Sequence, residues 1–235
     1  MKKYAGKIMR FTLMSLFVLC LCIICTMPAH RTMAADVDKS QGELYDWTLL
    51  DDTGATPYLE TGTHTYTDVF SSVLHITMVN IGAAGTANAQ GFKIFVRLSG
   101  TDEGWREFID LKMDATASDV GNMDDTAAAA QAVIPLASTT NYETPGDMFF
   151  LHDAGTIADS ALVIFGGTYT NDVSITVIDN LVNAYDAADN LYNVIGQWFI
   201  KLPNGGDEAK VLFYNGDADA NYACRVDYAN EDDVQ

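Results

Sequence analysis

The sequence predicts an all-β body, an antiparallel β-sandwich or jelly roll, preceded by a cleaved N-terminal signal helix. Three observations lead there. Apolar and polar residues alternate with a period of two in one segment after another. Turns rich in Gly, Asn and Asp separate those segments at short intervals. No segment sustains the 3.6-residue apolar stripe of an amphipathic helix. Connections this short leave no room for crossover helices, so antiparallel pairing follows.

The chain opens with Lys2, Lys3, Lys7 and Arg10, then runs without a charge from Phe11 to Met27 until Pro28 breaks the run. Thr32, Ala34 and Ala35 supply the small residues of a processing site, so residues 1–34 read as a secretory signal peptide. The rival reading is an uncleaved anchor, for which this run approaches the lower limit of a bilayer span. The basic excess before the run keeps the N-terminus inside and sends the rest of the chain outside.

Strands are expected at 43–50, 63–69, 72–80, 92–98, 105–113, 148–152, 161–167, 173–179, 197–202, 208–214 and 221–229. Phe92, Ile94, Val96 and Leu98 share one face, with Lys93 and Arg97 on the other, and Ile109, Leu111 and Met113 oppose Asp110 and Lys112. The turn Ser99–Gly104 joins these two strands into a hairpin. Ala161–Phe165 is apolar on both faces, as a central strand covered on both sides would be. Asn215–Ala220 reads as the turn of a last hairpin. The best helical segments are 123–132, with its alanine run, and 181–195, which holds one turn at most. Residues 114–146 are rich in Ala, Thr, Ser and Asp and contain Pro135 and Pro145. They read as a long loop with a buried strand at 132–136, giving one β-sandwich domain over 35–235. The alternative is two small β domains split within 114–146.

After the leader, eight basic residues stand against 32 acidic ones, a formal charge of −24. Such a field repels nucleic acid and anionic membrane and favours solubility and cation uptake. Cys224 is the one cysteine after the leader, so no disulfide framework exists despite the oxidising destination. Tyr222, Cys224, Val226 and Tyr228 share a strand face opposite Arg225 and Asp227, which points to a buried, inert thiol.

Motifs that carry chemistry are few. His64, His75 and His152 fall at strand positions without the partner spacing of a metal site, although His64 and His75 could meet across neighbouring strands. The sequence shows no nucleophile elbow, phosphate-cradling loop or His-Glu-x-x-His. Trp105, flanked by Glu103 and Glu107, reads as a core anchor at a strand start, with a sugar-stacking role as the functional alternative. Asp217, Asp219 and Asn221 have the alternate spacing of calcium ligands in a tight loop. An EF-hand would then need Gly and Glu where Tyr222 and Tyr228 stand, so only a looser calcium site fits. Asp186, Asp189 and Asn190 form a second such cluster, and a plain Asx-rich turn is the competing reading of both. No other cofactor is implied.

These observations predict a secreted, non-enzymatic structural or assembly protein of an extracellular surface, filament or particle, with self-association as its partner mode. The alternative is an extracellular binding module for glycan or another surface ligand. The layout resembles β-sandwich subunits of extracellular layers and filaments and virion decoration proteins, without a defined motif. Mass spectrometry of exported protein is expected to show Ala35 or Asp36 at the N-terminus. Intact Met1 in the membrane fraction would contradict cleavage.

Overall fold

The computed structural model describes residues 39–232 apart from 51–57, 68, 87–88, 99–103, 115, 143 and 217–219. The expected leader lies outside the described residues. The strands are β1 (Lys39–Leu50), β2 (Tyr58–Glu60), β3 (His64–Thr65), β4 (Val69–Asn80), β5 (Gln90–Arg97), β6 (Arg106–Lys112), β7 (Val120–Asn122) and β8 (Val133–Pro135). They continue as β9 (Met148–His152), β10 (Ala161–Thr170), β11 (Ser174–Val177), β12 (Asn190–Tyr192), β13 (Ile195–Lys201), β14 (Glu208–Asn215) and β15 (Tyr222–Asp232). A single 3-10 turn, Ile157–Asp159, joins β9 to β10.

The strands form three sheets, antiparallel throughout. A middle sheet runs β1-β15-β4-β13, and a front sheet runs β2-β14-β5-β6 with β3 also pairing with β14. A back sheet runs β7-β12-β9-β10-β11-β8. Alternation decides how they stack. Leu74, Ile76 and Met78 of β4 and Tyr222, Cys224 and Val226 of β15 meet Phe92 and Ile94 of β5 and Val211 and Phe213 of β14 in the first core. The back sheet has its own core, with Ile134, Phe149, Leu151, Phe165 and Ile175 covered by Tyr142, Leu181 and Tyr185 from its connections. A third, smaller core seals the seam between them, where Trp47, Val79 and Ala223 of the middle sheet meet Phe150 and Tyr192 of the back sheet. The rings of Trp47 and Phe150 lie 4.5 Å apart at 52°, a tilted contact that suits their quadrupoles.

The expected hairpin of β5 and β6 forms, with Ile94 opposite Ile109 and Phe92 opposite Leu111. The last hairpin does not. β14 pairs within the front sheet and β15 within the middle sheet, so the connection between them crosses from one sheet to the other. Two strands facing each other across a core carry the same alternation as two strands side by side, which is why the pattern did not separate the cases. Neither expected helix forms. Over 123–132 the alanines offer no apolar stripe to bury, and Ala127 instead exchanges two 2.9 Å backbone hydrogen bonds with Tyr185. Ala130 turns the chain with φ of 61°. Within 181–195, β12 forms between β7 and β9. The hydroxyl of Tyr142 shares its one proton between the carbonyls of Asp119 (2.7 Å) and Leu191 (3.1 Å) and so ties β12 to the approach of β7.

Of the strand expected at 132–136, Ile134 and Leu136 are buried, while Val133 is exposed at the edge of the back sheet, so β8 is half-buried and not enclosed as the sequence implied. Over Ala161–Phe165, β10 buries Val163 and Phe165 in the back core and half-buries Leu162 against the seam, while Gly166–Thr170 is exposed. Phe150 is fully buried at that seam, so Phe150→Ala is expected to destabilise the protein by about 3–5 kcal/mol. Urea unfolding of the variant checks this; a midpoint unchanged from wild type would contradict a packed seam.

Candidate functional site

The back sheet covers one part of the outer face of the middle sheet and leaves the rest open. On the open part all four strands line a groove of about 540 Å3, with Gln41–Glu43 from β1, Val73 and His75 from β4, Phe199 from β13 and Arg225, Asp227, Tyr228 and Ala229 from β15. Gly42 is required here, because a Cβ on it would sit 2.7 Å from the Tyr228 hydroxyl oxygen, whose ring lies across the glycine.

Arg225 is the centre of the groove. Its Nε donates to Asp227 Oδ2 at 3.0 Å and Nη2 to Asp227 Oδ1 at 3.0 Å, a bidentate pair along one strand face. Nη2 also lies 2.9 Å from Glu43 and Nη1 3.4 Å from Asp46, both on β1. The hydrogen bonds to Asp227 raise the guanidinium pKa further, so this charge is permanent. Beside it His75 stacks on Phe199, centroids 4.3 Å apart and planes 1° from parallel, while His75 Nδ1 lies 3.9 Å from Asp227. Phe199 remains 71% exposed. One cation thus holds three carboxylates next to an open aromatic ring.

The other sequence-derived residues fall elsewhere. Trp105 is not a core anchor. It is half-buried on the outer face of the front sheet, with Arg97 4.6 Å and Lys210 4.8 Å from its ring centroid. Glu103 lies outside the described residues, and Glu107 pairs with Lys93 at 2.6 Å. Of the calcium candidates, Asp217 and Asp219 lie outside the described residues, and the carbonyl of Asn221 accepts from the Ile81 amide. The Asp186–Asn190 cluster is built as a turn. The buried Asp189 carboxylate accepts 2.7 Å bonds from the amides of Ala154 and Asp186, and Asp186 accepts from Ala188. Among the described residues no three His, Cys, Asp or Glu side chains gather as a metal site would require.

His64 and His75 do not meet. His64 bonds Ser72 on the core side of the middle sheet, at 3.0 Å, whereas His75 lies on the outer face. Cys224 is fully buried, and desolvation pushes its thiol well above the usual range. The groove itself escaped the sequence reading. Arg225 and Asp227 stood out only as the polar side of a strand, and Glu43, Asp46 and Phe199 are joined to them by sheet pairing alone.

No family model matches the chain, and no curated protein matches its sequence. Among solved structures it is similar to VP17, a capsid protein of bacteriophage P23-77, at 10% identity over 84% of this chain and 97% of that one, with a TM-score of 0.18. The VP16-VP17 complex of the two major capsid proteins of the same phage aligns at 9% identity, over 83% and 98%, again with a TM-score of 0.18. At those scores the likeness carries no weight for function.

Burial lowers the pKa of the three histidines among the described residues, His64, His75 and His152. The folded state thus holds them neutral where the unfolded chain takes up protons. Their contribution is intact above the unfolded value near 6.5 and is lost as pH falls below it. The urea midpoint is expected to hold near about pH 7.5 and to fall by about pH 5.5, less steeply in His64→Gln. A flat profile over that window would contradict neutral buried histidines.

Proposed function

We propose that this chain is a secreted, non-enzymatic structural subunit that assembles with copies of itself through its sheet faces. The observation that carries the reading is the outer face of the middle sheet. One part of that face is buried under the back sheet through Trp47, Val79 and Ala223, and the adjoining part presents Val73, Ala229 and the exposed Phe199 in an open groove. Exposed apolar surface rimmed by charge marks contact sites between proteins. The charged groups in the groove already satisfy one another, which suits a contact that buries them more than a site that must present a free acid, base or nucleophile. A glycan-binding role would rest on Trp105, and that ring is already engaged by two cations.

Multi-angle light scattering on the mature chain at rising concentration is expected to show mass beyond the monomer, and Phe199→Asp to reduce it. A wild-type chain that stays monomeric across the range would overturn the assembly reading.

A further inference from the structure

The charges of this protein are segregated between its layers. From Met113 to Ile200 the chain contains twelve carboxylic acids and neither lysine nor arginine. That span builds the whole back sheet and its connections. Asp124, Asp147 and Asp179 are among its exposed carboxylates. The outer face of the front sheet is different. There Lys93, Arg97, Lys112 and Lys210 interleave with Glu60, Glu107, Asp110 and Glu208: Lys93 lies 2.6 Å from Glu107 and 3.4 Å from Asp110, Lys112 3.3 Å from Asp110, Lys210 2.5 Å from Glu60, and Arg97 pairs with Glu208. Among the described residues these ion pairs set four cations against four carboxylates, so the cations of a chain at −24 are concentrated on this face. Its lysines end flexible stems and re-pair at little cost, because surface ion pairs are weak.

We infer that the front face of one copy docks on the cation-free back unit of the next, in a head-to-tail contact. Any pairing that sets two net-acidic surfaces together is repelled, and front against back brings the concentrated cations to the surface that lacks them. The geometry makes the contact intermolecular. The front sheet covers one face of the middle sheet and the back sheet packs on the other, so the complementary surfaces point away from each other within a molecule. A contact between two different patches of identical subunits repeats from copy to copy, into a ring or an open chain. This inference rests on the assembly reading and adds a second contact, of different chemistry, to the Phe199 groove.

Charge exchange tests it. One variant carries Lys93→Glu and Lys210→Glu, and the other carries Asp124→Lys, Asp147→Lys and Asp179→Lys, with circular dichroism establishing that each is folded. Sedimentation at matched ionic strength is expected to show each variant alone associating about tenfold more weakly than wild type. Mixed together they should regain association, because the reversed front of the first meets the reversed back of the second. The milder pair Lys93→Gln and Lys210→Gln should weaken association in the same direction. If wild type associates and the mixture gains nothing over the separate variants, the head-to-tail contact is wrong and assembly stands on another surface. If wild type does not associate at all, the assembly reading falls and this contact falls with it.

Discussion

At the seam the middle sheet is buried on both faces, and the other two layers depend on that. Met78 and Val79 are successive residues of β4, and Cys224 and Ala223 successive residues of β15, and all four are fully buried. Successive strand residues point to opposite sides, so these two strands must be apolar on both. Cys224 and Met78 face the first core, and Ala223 and Val79 face the seam. The two strands are paired directly, Cys224 opposite Met78 and Ala223 opposite Val79. A polar or larger side chain at any of these places would lose transfer energy or strain a filled core on one side while the ladder held the strand fixed on the other.

Beyond the seam the same face becomes polar, and the change of chemistry marks where packing ends. Arg225 and Asp227 follow Ala223 at intervals of two on β15, and His75 precedes Val79 on β4. One sheet face thus serves first as core and then as surface. The charge distribution follows a comparable division by layer. A chain with this excess of carboxylates repels itself when compact, and the repulsion is screened only over about 8–10 Å in ordinary salt. Concentrating cations on the front sheet leaves the back sheet without any, so the layers differ in what they attract as well as in what they pack against.

Much of the fold was legible because half-buried strands write their burial into alternation. β4, β5, β10 and β15 were each readable in this way, including the inward set of Cys224. Sheet membership was not legible, since the residues of β14 and β15 alternate alike whether paired or opposed. Strands of three residues, such as β2, β7 and β12, are too short to show a period. They exist because neighbouring strands offer them hydrogen bonds. Trp105 read as a core residue because its aromatic bulk usually is; its contact with both Arg97 and Lys210 depends on β5 and β14 lying side by side. The groove required β1 to reach β15 across 179 positions to bring Asp46 to Arg225. The absence of lysine and arginine between Lys112 and Lys201 was open to reading in the sequence, and it gains meaning only once that span is seen to contain every strand of the back sheet.

Native-state hydrogen exchange tests the central role of the middle sheet most directly. Amides of Ile76–Val79 and Ala223–Val226 should exchange only through global unfolding, with a free energy equal to that from urea denaturation, while β7, β8 and β12 open at lower cost. Exchange at β4 and β15 through a lower-energy opening, with β9 and β10 remaining protected, would contradict the account.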